Sequence, residues 1–375
     1  MAEESRRNSS GLEGKFETLH EFVKAARLKL TPERWDYVTG AAETETTLKR
    51  NRYAIDSVAF RPRVLRDISG VECSGIVMGK TARLPVMLAP VGGLERLDPD
   101  GAAAVAKGAT LFGIPQMLSS VSNPGLEATA KAANGRKFFQ LYRRGPDTFT
   151  DEIVGRAVDA GYEAFCYTID SAFYGRRERD IARRVSNRSV IVDDGDNRQQ
   201  SLSWTEVKRF KDKHGRKLPL ILKGIQTAED AVIACEHGVD GIYITNHGGR
   251  QLDQARGTLD ILPEVVEAVQ GRAQIIIDGG FYRGTDIVKA IALGANTVAI
   301  GRLYLYGLAA AGGAGVARVL EILESEIRTC LGLIGCTGFA EVTRSHVAAA
   351  PAVTMPHVFS AFPLLNLADE GYGGR

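Results

Sequence analysis

Eight short apolar, β-rich runs punctuate the chain: Pro85–Val91, Gln116–Ser119, Lys137–Tyr142, Ala164–Ile169, Pro219–Lys223, Gly241–Thr245, Gln274–Asp278 and Thr297–Gly301. They are continuous apolar stretches rather than polar–apolar alternations, the pattern of parallel strands covered on both faces. Between them lie segments rich in Ala, Glu, Lys and Val, such as Asp98–Leu111 and Thr227–Glu236, which read as helices. Strand and helix alternating about eight times predict an α/β fold of the (β/α)8 TIM-barrel type. A doubly wound open sheet is the runner-up, but such a sheet more often carries a G-x-G-x-x-G turn after its first strand, and none stands there. Ahead of the first run, residues 16–55 read as a helical extension. Thr31 is placed to cap a helix that opens on Pro32, with Glu33 in its first turn. Residues 1–14 are polar and charged and are expected to form a disordered tail, leaving 15–375 as a single domain.

The longest gap between runs extends from Ile169 to Pro219. Its polar centre, Val185–Gln200, holds Asp193, Asp194, Gly195 and Asp196. Long connections of this kind are often active-site lids, so a mobile loop over the barrel mouth is expected.

Composition narrows the class of function. Lys and Arg number 47 against 45 Asp and Glu, a net charge of +2, which gives no reason to expect a nucleic-acid or membrane partner. Cys73, Cys166, Cys235, Cys330 and Cys336 are scattered and form no C-x-x-C pair. That argues against a disulfide framework or a metal site and for a reducing, cytoplasmic setting. The first residues carry no apolar signal region, and the last carry no peroxisomal or retention signal. The stretch Leu303–Leu320 is broken by Gly307, Gly312, Gly313 and Gly315, and is too short and glycine-rich to read as a membrane span.

Barrels of this type place their chemistry at the C-terminal ends of the strands. Here those ends are polar or glycine-rich throughout. In chain order they hold Pro90-Val91-Gly92, Ser119, Gln140 with Tyr142, Thr168 with Asp170, Lys223, His247 with Arg250, Asp278-Gly279-Gly280, and Gly301-Arg302. The run Tyr243–Asp253, Y-I-T-N-H-G-G-R-Q-L-D, is the most informative. It leaves a strand on two glycines flanked by an imidazole, which exchanges protons near neutral pH, and a guanidinium fork suited to a carboxylate. Gly279-Gly280 and Gly301-Arg302 follow the last two strands, where barrels commonly bind a phosphate. Lys223 follows three apolar residues, so its ammonium is expected in the barrel, positioned to stabilise a developing anion. On these residues three functions stay open. One is oxidation of an organic acid on a phosphate-bearing cofactor. Another is a sugar-phosphate isomerase or aldolase using Lys223 as a Schiff base. The third, which supposes the flavin that the resemblance described next implies, is a non-catalytic flavin-binding barrel, against which the set His247, Asp170, Arg250 and the Arg177 of the G-R-R-E piece at 175–178 speaks.

The chain resembles the FMN-dependent 2-hydroxy acid oxidases and dehydrogenases. The matching pieces are W-D-Y at 35–37, L-A-P at 88–90, L-S-S at 118–120, F-Q-L-Y at 139–142, T-I-D at 168–170 and G-R-R-E at 175–178. Further on they are L-K-G at 222–224, N-H-G-G-R-Q-L-D at 246–253, D-G-G at 278–280, R-G-T-D at 283–286 and I-G-R at 300–302. Within the family the mandelate-oxidising members look nearest, on Gly92, the S-N pair at 122–123 and the G-F and R-G-x-D-I-V-K-A pieces around 280–290. The resemblance implies FMN as cofactor and a small-molecule 2-hydroxy acid as substrate, with the larger, mandelate-like acids expected. His247 would be the base and Asp170 the partner of its imidazolium. Arg177 and Arg250 would grip the substrate carboxylate, and Tyr37 and Tyr142 would hydrogen-bond the substrate. Lys223, Ser119, Gln140 and Thr168 would contact the flavin ring, and Pro90-Val91-Gly92 would lie along it. Asp278, Gly279, Gly280, Arg283, Gly301 and Arg302 complete the implied cofactor site. The resemblance also implies a homotetramer.

The chain departs from the family pattern at several places. The family usually reads D-G-G-x-R-R-G, and here Tyr282 takes the first arginine position, leaving only Arg283. Ala172 stands where many members have proline, and Val121 where glycolate-type enzymes have tryptophan. The segment around 185–200 is short and lacks the apolar insertion that anchors some mandelate dehydrogenases to membranes.

Overall fold

The computed structural model describes residues 9–184 and 198–366. Three short strands come first, β1 (Val58–Phe60) and the hairpin strands β2 (Gly75–Val77) and β3 (Lys80–Ala82). The eight expected runs follow as β4 (Val86–Leu88), β5 (Gln116–Ser119), β6 (Lys137–Leu141), β7 (Phe165–Thr168), β8 (Leu220–Ile225), β9 (Gly241–Ile244), β10 (Gln274–Ile277) and β11 (Thr297–Ile300). They pair in parallel in sequence order, and β11 pairs with β4 to close the barrel. β12 (Val347–Ala349) returns antiparallel to β1 outside it.

The two-residue period of each strand divides the apolar residues between two cores. Met87, Met117, Phe138, Cys166, Ile221, Tyr243, Ile276 and Ala299 form one buried cluster, which fills the barrel. Their neighbours Leu88, Leu118, Phe139, Tyr167, Leu222, Ile244, Ile277 and Ile300 belong to the other, packed beneath the helices. The same parity explains the polar strand ends. Ser119, Gln140, Thr168, Lys223, Thr245 and Asp278 each stand two residues after an interior apolar residue, and all six are buried. The hairpin β2–β3 closes the opposite mouth. Its Val77 and Ala82 join the interior cluster, and Arg136 Nη2 donates to Val77 O at 2.8 Å.

The helical extension is three helices, Leu19–Lys29, Pro32–Thr39 and Thr46–Asp56. Thr31 caps the second as the sequence predicts, accepting from Arg34 N. Upstream, Ser10, within the 1–14 stretch expected as a disordered tail, donates to Glu321 through both N and Oγ, at 2.7 and 2.9 Å, so this part of the stretch is docked on the fold. The helix Arg302–Ile334 is long and apolar enough to cross a membrane, but 67% of its apolar window is buried in the fold. It is broken at Ala311 and Gly312, where φ/ψ leave the helical region. Against it packs the helix Gly101–Phe112, whose Gly108 admits Gly313 O to 2.4 Å of where a Cβ would stand.

The gap after β7 carries more structure than a lid. It contains the helices Glu178–Ala182 and Trp204–His214, the second opened by a reciprocal Ser203–Glu206 cap. Most of the expected lid, 185–197, lies outside the described residues. Gln199 at its end is buried and closes on the barrel, donating to Thr168 O at 2.5 Å and accepting from Arg143 N at 2.8 Å. The hairpin β2–β3 and the β1–β12 pair have no counterpart in the sequence reading, because three-residue strands carry too few positions to show a period.

Candidate active site

The C-terminal ends of the strands surround a cavity of about 370 Å³. His247 sits at its centre because the chain leaving β9 turns sharply there. Its φ is +59°, a left-handed conformation that side-chain-bearing residues seldom adopt. The turn is held from several sides. His247 N donates to Thr245 Oγ1 at 2.9 Å, and Thr245 Oγ1 donates in turn to Asp278. Asn246 and Asn51 exchange side-chain hydrogen bonds at 2.7 and 2.9 Å. Gly249, at φ +79°, lies so close to the helix Thr46–Asp56 that a Cβ would stand 2.6 Å from Leu48 N. Asp253 accepts from Thr44 and Thr47, and Gln251 Nε2 donates to Phe173 O at 2.9 Å.

The imidazole is poised as a proton acceptor. Nδ1 lies 3.1 and 3.2 Å from the two oxygens of Asp170, which only accept, so Nδ1 carries the proton. Nε2 then accepts from the Tyr142 hydroxyl at 3.3 Å. Burial and Asp170 push the Tyr142 phenol pKa well up, so it stays a donor. Lys223 Nζ approaches Nδ1 at 3.5 Å, a meeting of two donors whose effect is electrostatic. Burial and the Lys223 charge hold the His247 pKa below its ordinary value, against the raising effect of Asp170. Burial works to raise the Asp170 pKa, but His247 and Lys223 outweigh it and hold the carboxyl below its usual range. The result is a neutral imidazole with an anionic partner behind it.

The same cavity carries two guanidiniums. Arg177 lies over the Tyr174 ring at 4.1 Å and Arg250 over the Tyr37 ring at 4.8 Å. Burial and the like charge of Arg177 press the Arg250 pKa down to about 10. Arg177 Nε is buried without a hydrogen-bond partner. Two confined guanidiniums lining one cavity are chemically suited to a carboxylate.

The implied FMN fits the rest of the cavity. Pro90, Val91 and Gly92 line one wall, and Gly279, Gly280, Gly301 and Arg302 line the far end. Gly279 and Gly280 adopt φ of +107° and +88°, and a Cβ on Gly301 would meet nothing within 4 Å. The long helix begins at Arg302, so its N-terminal N–H groups add a field suited to a phosphate. Arg302 is held there by three carbonyls, donating at 3.0 Å to Val38, Gly40 and Gly248. Beneath, Ser119 donates to Gln140 and Gln140 to Thr168, each at 2.8 Å, a polar chain just under the cavity floor.

Thus the structure brings Tyr37, Tyr142, Arg177, His247, Arg250, Lys223, Asp278 and the glycine-rich segments to one cavity, with Asp170 directly behind His247. Arg283 is a correction. It does not line the cavity but turns outward to Glu326, at 2.5 Å, and to Ala361 O at 3.3 Å. Tyr282 lines the cavity instead, 3% exposed and beside Arg302. The sequence reading missed Asn51, Asn246 and Gln251 as supports of the His247 turn. The two that flank the histidine were visible as polar residues in the motif, but nothing in the sequence marked Asn51.

Comparison with known proteins agrees with this geometry. The family described as FMN-dependent dehydrogenase matches residues 26–193 and 184–349. Glycolate oxidase 3 of Oryza sativa subsp. indica is 39% identical over 349 residues, covering 87% of this chain and 95% of that protein. A peroxisomal (S)-2-hydroxy-acid oxidase of Oryza sativa subsp. japonica is also 39% identical, covering 88% and 95%. Among solved structures, a crystal structure of mandelate oxidase superposes with a TM-score of 0.83 at 36% identity, covering 90% of this chain and all of the other. The chain therefore belongs to the FMN-dependent dehydrogenase family and is an FMN-dependent oxidoreductase of 2-hydroxy acids.

Proposed function

We propose that this protein oxidises an (S)-2-hydroxy acid to the 2-oxo acid with His247 as its base, and that it prefers larger, aromatic substrates shaped like mandelate. The observation that carries the assignment is that His247, oriented through Asp170, lines the same cavity as Arg177 and Arg250. Oxidation at the hydroxyl-bearing carbon removes two electrons and two protons. FMN, which Pro90–Gly92, Lys223, Gly279, Gly280, Gly301 and Arg302 would hold, would supply the acceptor for the two electrons and the second proton. Arg250 and Arg177 take the carboxylate and so fix which face of the substrate is presented. Tyr142, already bonded to Nε2, and Tyr37 steer the hydroxyl toward His247. His247 accepts a proton at Nε2, and the Asp170 carboxylate stabilises the imidazolium that results.

The relatives' names divide between glycolate and mandelate. Gly92 and Val121 favour the larger substrate, because neither places a bulky side chain on that wall. A Schiff-base isomerase or aldolase has no support in the comparisons. A cytoplasmic setting is our reading from the five free thiols, although one plant relative is peroxisomal. A homotetramer without membrane insertion is likewise our reading, supported by the exposed apolar Val64, Leu65 and Leu333 and by the burial of the long apolar helix Arg302–Ile334. The deciding experiment is anaerobic titration of the purified yellow protein with 2-hydroxy acids. Bleaching of the flavin absorbance by mandelate is expected, and a spectrum unchanged by every 2-hydroxy acid would overturn the assignment.

A further inference from the structure

The family match ends at residue 349, yet residues 357–366 beyond it pack against Trp35 and the cavity-lining Tyr282. Residues 357–366 fold into successive turns closed by Ser360 N to His357 O at 3.1 Å, Phe362 N to Phe359 O at 2.8 Å and Leu365 N to Phe362 O at 3.1 Å. Two aromatic rings seat this segment. Phe359 stacks on Trp35 with centroids 5.6 Å apart and planes 9° from parallel. Phe362 is fully buried and meets three rings edge-on, His20 at 5.8 Å, Tyr306 at 6.3 Å and Tyr282 at 5.3 Å.

Tyr282 joins this segment to the cavity. One side of its ring meets Phe362, while its residue lines the cavity beside Arg302. Its hydroxyl is buried with no hydrogen-bond partner among the described residues, and it lies within reach of the Arg302 charge. The next residue, Arg283, holds the same segment by donating to Ala361 O. Two consecutive residues between the phosphate-type glycines and the helix Gly284–Ala292 are therefore both committed to residues 357–366.

We propose that residues 357–366 form a strap that completes the phosphate end of the FMN site, with Phe362 as a positioning residue that acts through Tyr282. The strap fixes the Tyr282 ring, which aims a neutral hydroxyl donor at an oxyanion beside Arg302. FMN binding and strap docking are then linked, each strengthening the other by the same factor. The inference rests on the reading that the end of the cavity formed by Gly279, Gly280, Gly301 and Arg302 receives the FMN phosphate.

The test uses the full chain stripped of flavin and measures FMN affinity by fluorescence titration, together with hydrogen exchange of residues 357–366 with and without FMN. Phe362→Ala should raise the FMN dissociation constant roughly tenfold. In the wild type FMN should slow exchange in the strap, an effect that a merely structural role for Phe362 would not give. Should Phe362→Ala fold poorly, Phe362→Leu and the wild-type exchange measurement decide the matter. An FMN dissociation constant changed by less than about twofold, or strap exchange indifferent to FMN, would overturn the linkage while leaving the enzyme assignment intact. A wild-type protein that bound no FMN would overturn both.

Discussion

Arg250 and Arg302 are tied together through one acceptor. Arg250 Nη1 and Arg302 Nη2 both donate to the carbonyl of Gly40, each at 3.0 Å. Arg250 also donates to Tyr37 O at 2.6 Å, and Arg302 to Val38 O. The C-terminal end of the helix Pro32–Thr39, with Gly40 just beyond it, thus orients the arginine assigned to the substrate and the arginine assigned to the cofactor. The N-terminal extension is in this respect part of the active site.

Disturbing that turn should therefore damage two functions at once. A Cβ on Gly40 would stand 2.7 Å from Asp36 O, so Gly40→Ala must shift the turn. Losing well-aligned hydrogen bonds to charged groups costs roughly 1.5–3 kcal/mol each. The variant should show both a raised KM for the hydroxy acid and weaker FMN binding. Steady-state kinetics at saturating FMN and a flavin titration read the two effects separately. A change in only one of them would mean that the arginines are not coupled through Gly40.

His247→Ala should abolish flavin reduction while FMN stays bound, because a general base is worth roughly 10²–10⁴-fold and His247 is placed to begin the reaction. Asp170→Asn keeps the shape but removes the anion that lies 3.1 Å from Nδ1. It should slow reduction roughly 100-fold or more without changing flavin content. Anaerobic stopped-flow following the flavin absorbance reads both variants, and near-normal reduction in His247→Ala would require another base.

The pH dependence has a definite sign. His247 must be neutral to accept a proton, and burial followed by Lys223 holds its pKa below the ordinary value. Activity should therefore persist below the usual histidine range as pH falls, and be lost only as pH passes the lowered pKa. Lys223→Met removes one of the two main lowering causes, so the acid limb of kcat/KM should move to higher pH. Asp170→Asn removes a raising cause and should move the limb the other way. Limbs that stayed in place in both variants would show that another group sets the profile.

How far the sequence alone reaches depends on which part of a residue does the work. The eight strands were legible because their cores are continuous apolar runs, and the strand-end chemistry because barrel parity places Lys223, Gln140 and Asp278 above Ile221, Phe138 and Ile276. The carbonyls of Tyr37, Val38 and Gly40 were not legible, since every residue has a carbonyl and only the fold aims it. Arg283 was misplaced for a related reason. Its neighbourhood matches a phosphate site, but the choice between facing the cavity and facing Glu326 is made by residue 326, far along the chain. Tyr282 was visible as a departure, whereas its contact with Phe362 needed the tertiary structure.

Substrate preference follows from the wall formed by Gly92 and Val121. The two residues pack on each other, since a Cβ on Gly92 would lie 2.7 Å from Val121 Cγ2. Both line the cavity that holds Arg177, His247 and Tyr174. With small groups on this wall a phenyl side chain can be buried, at about 0.8 kcal/mol for each CH₂-sized group. Mandelate and 2-hydroxyoctanoate should thus have kcat/KM values roughly 100-fold above glycolate. Val121→Trp should fill the space and lower kcat/KM for mandelate far more than for glycolate. Tyr174 opposes this, because its ring, held on Arg177 at 4.1 Å, borders the same cavity. Tyr174→Ala should then widen the preference for aromatic acids, although it also removes a support of Arg177 and should raise KM for every substrate. Rates for glycolate, lactate, 2-hydroxyoctanoate and mandelate across the three proteins decide the matter. A wild-type preference for glycolate, or a Val121→Trp variant that lost both substrates equally, would show that this wall does not select the side chain.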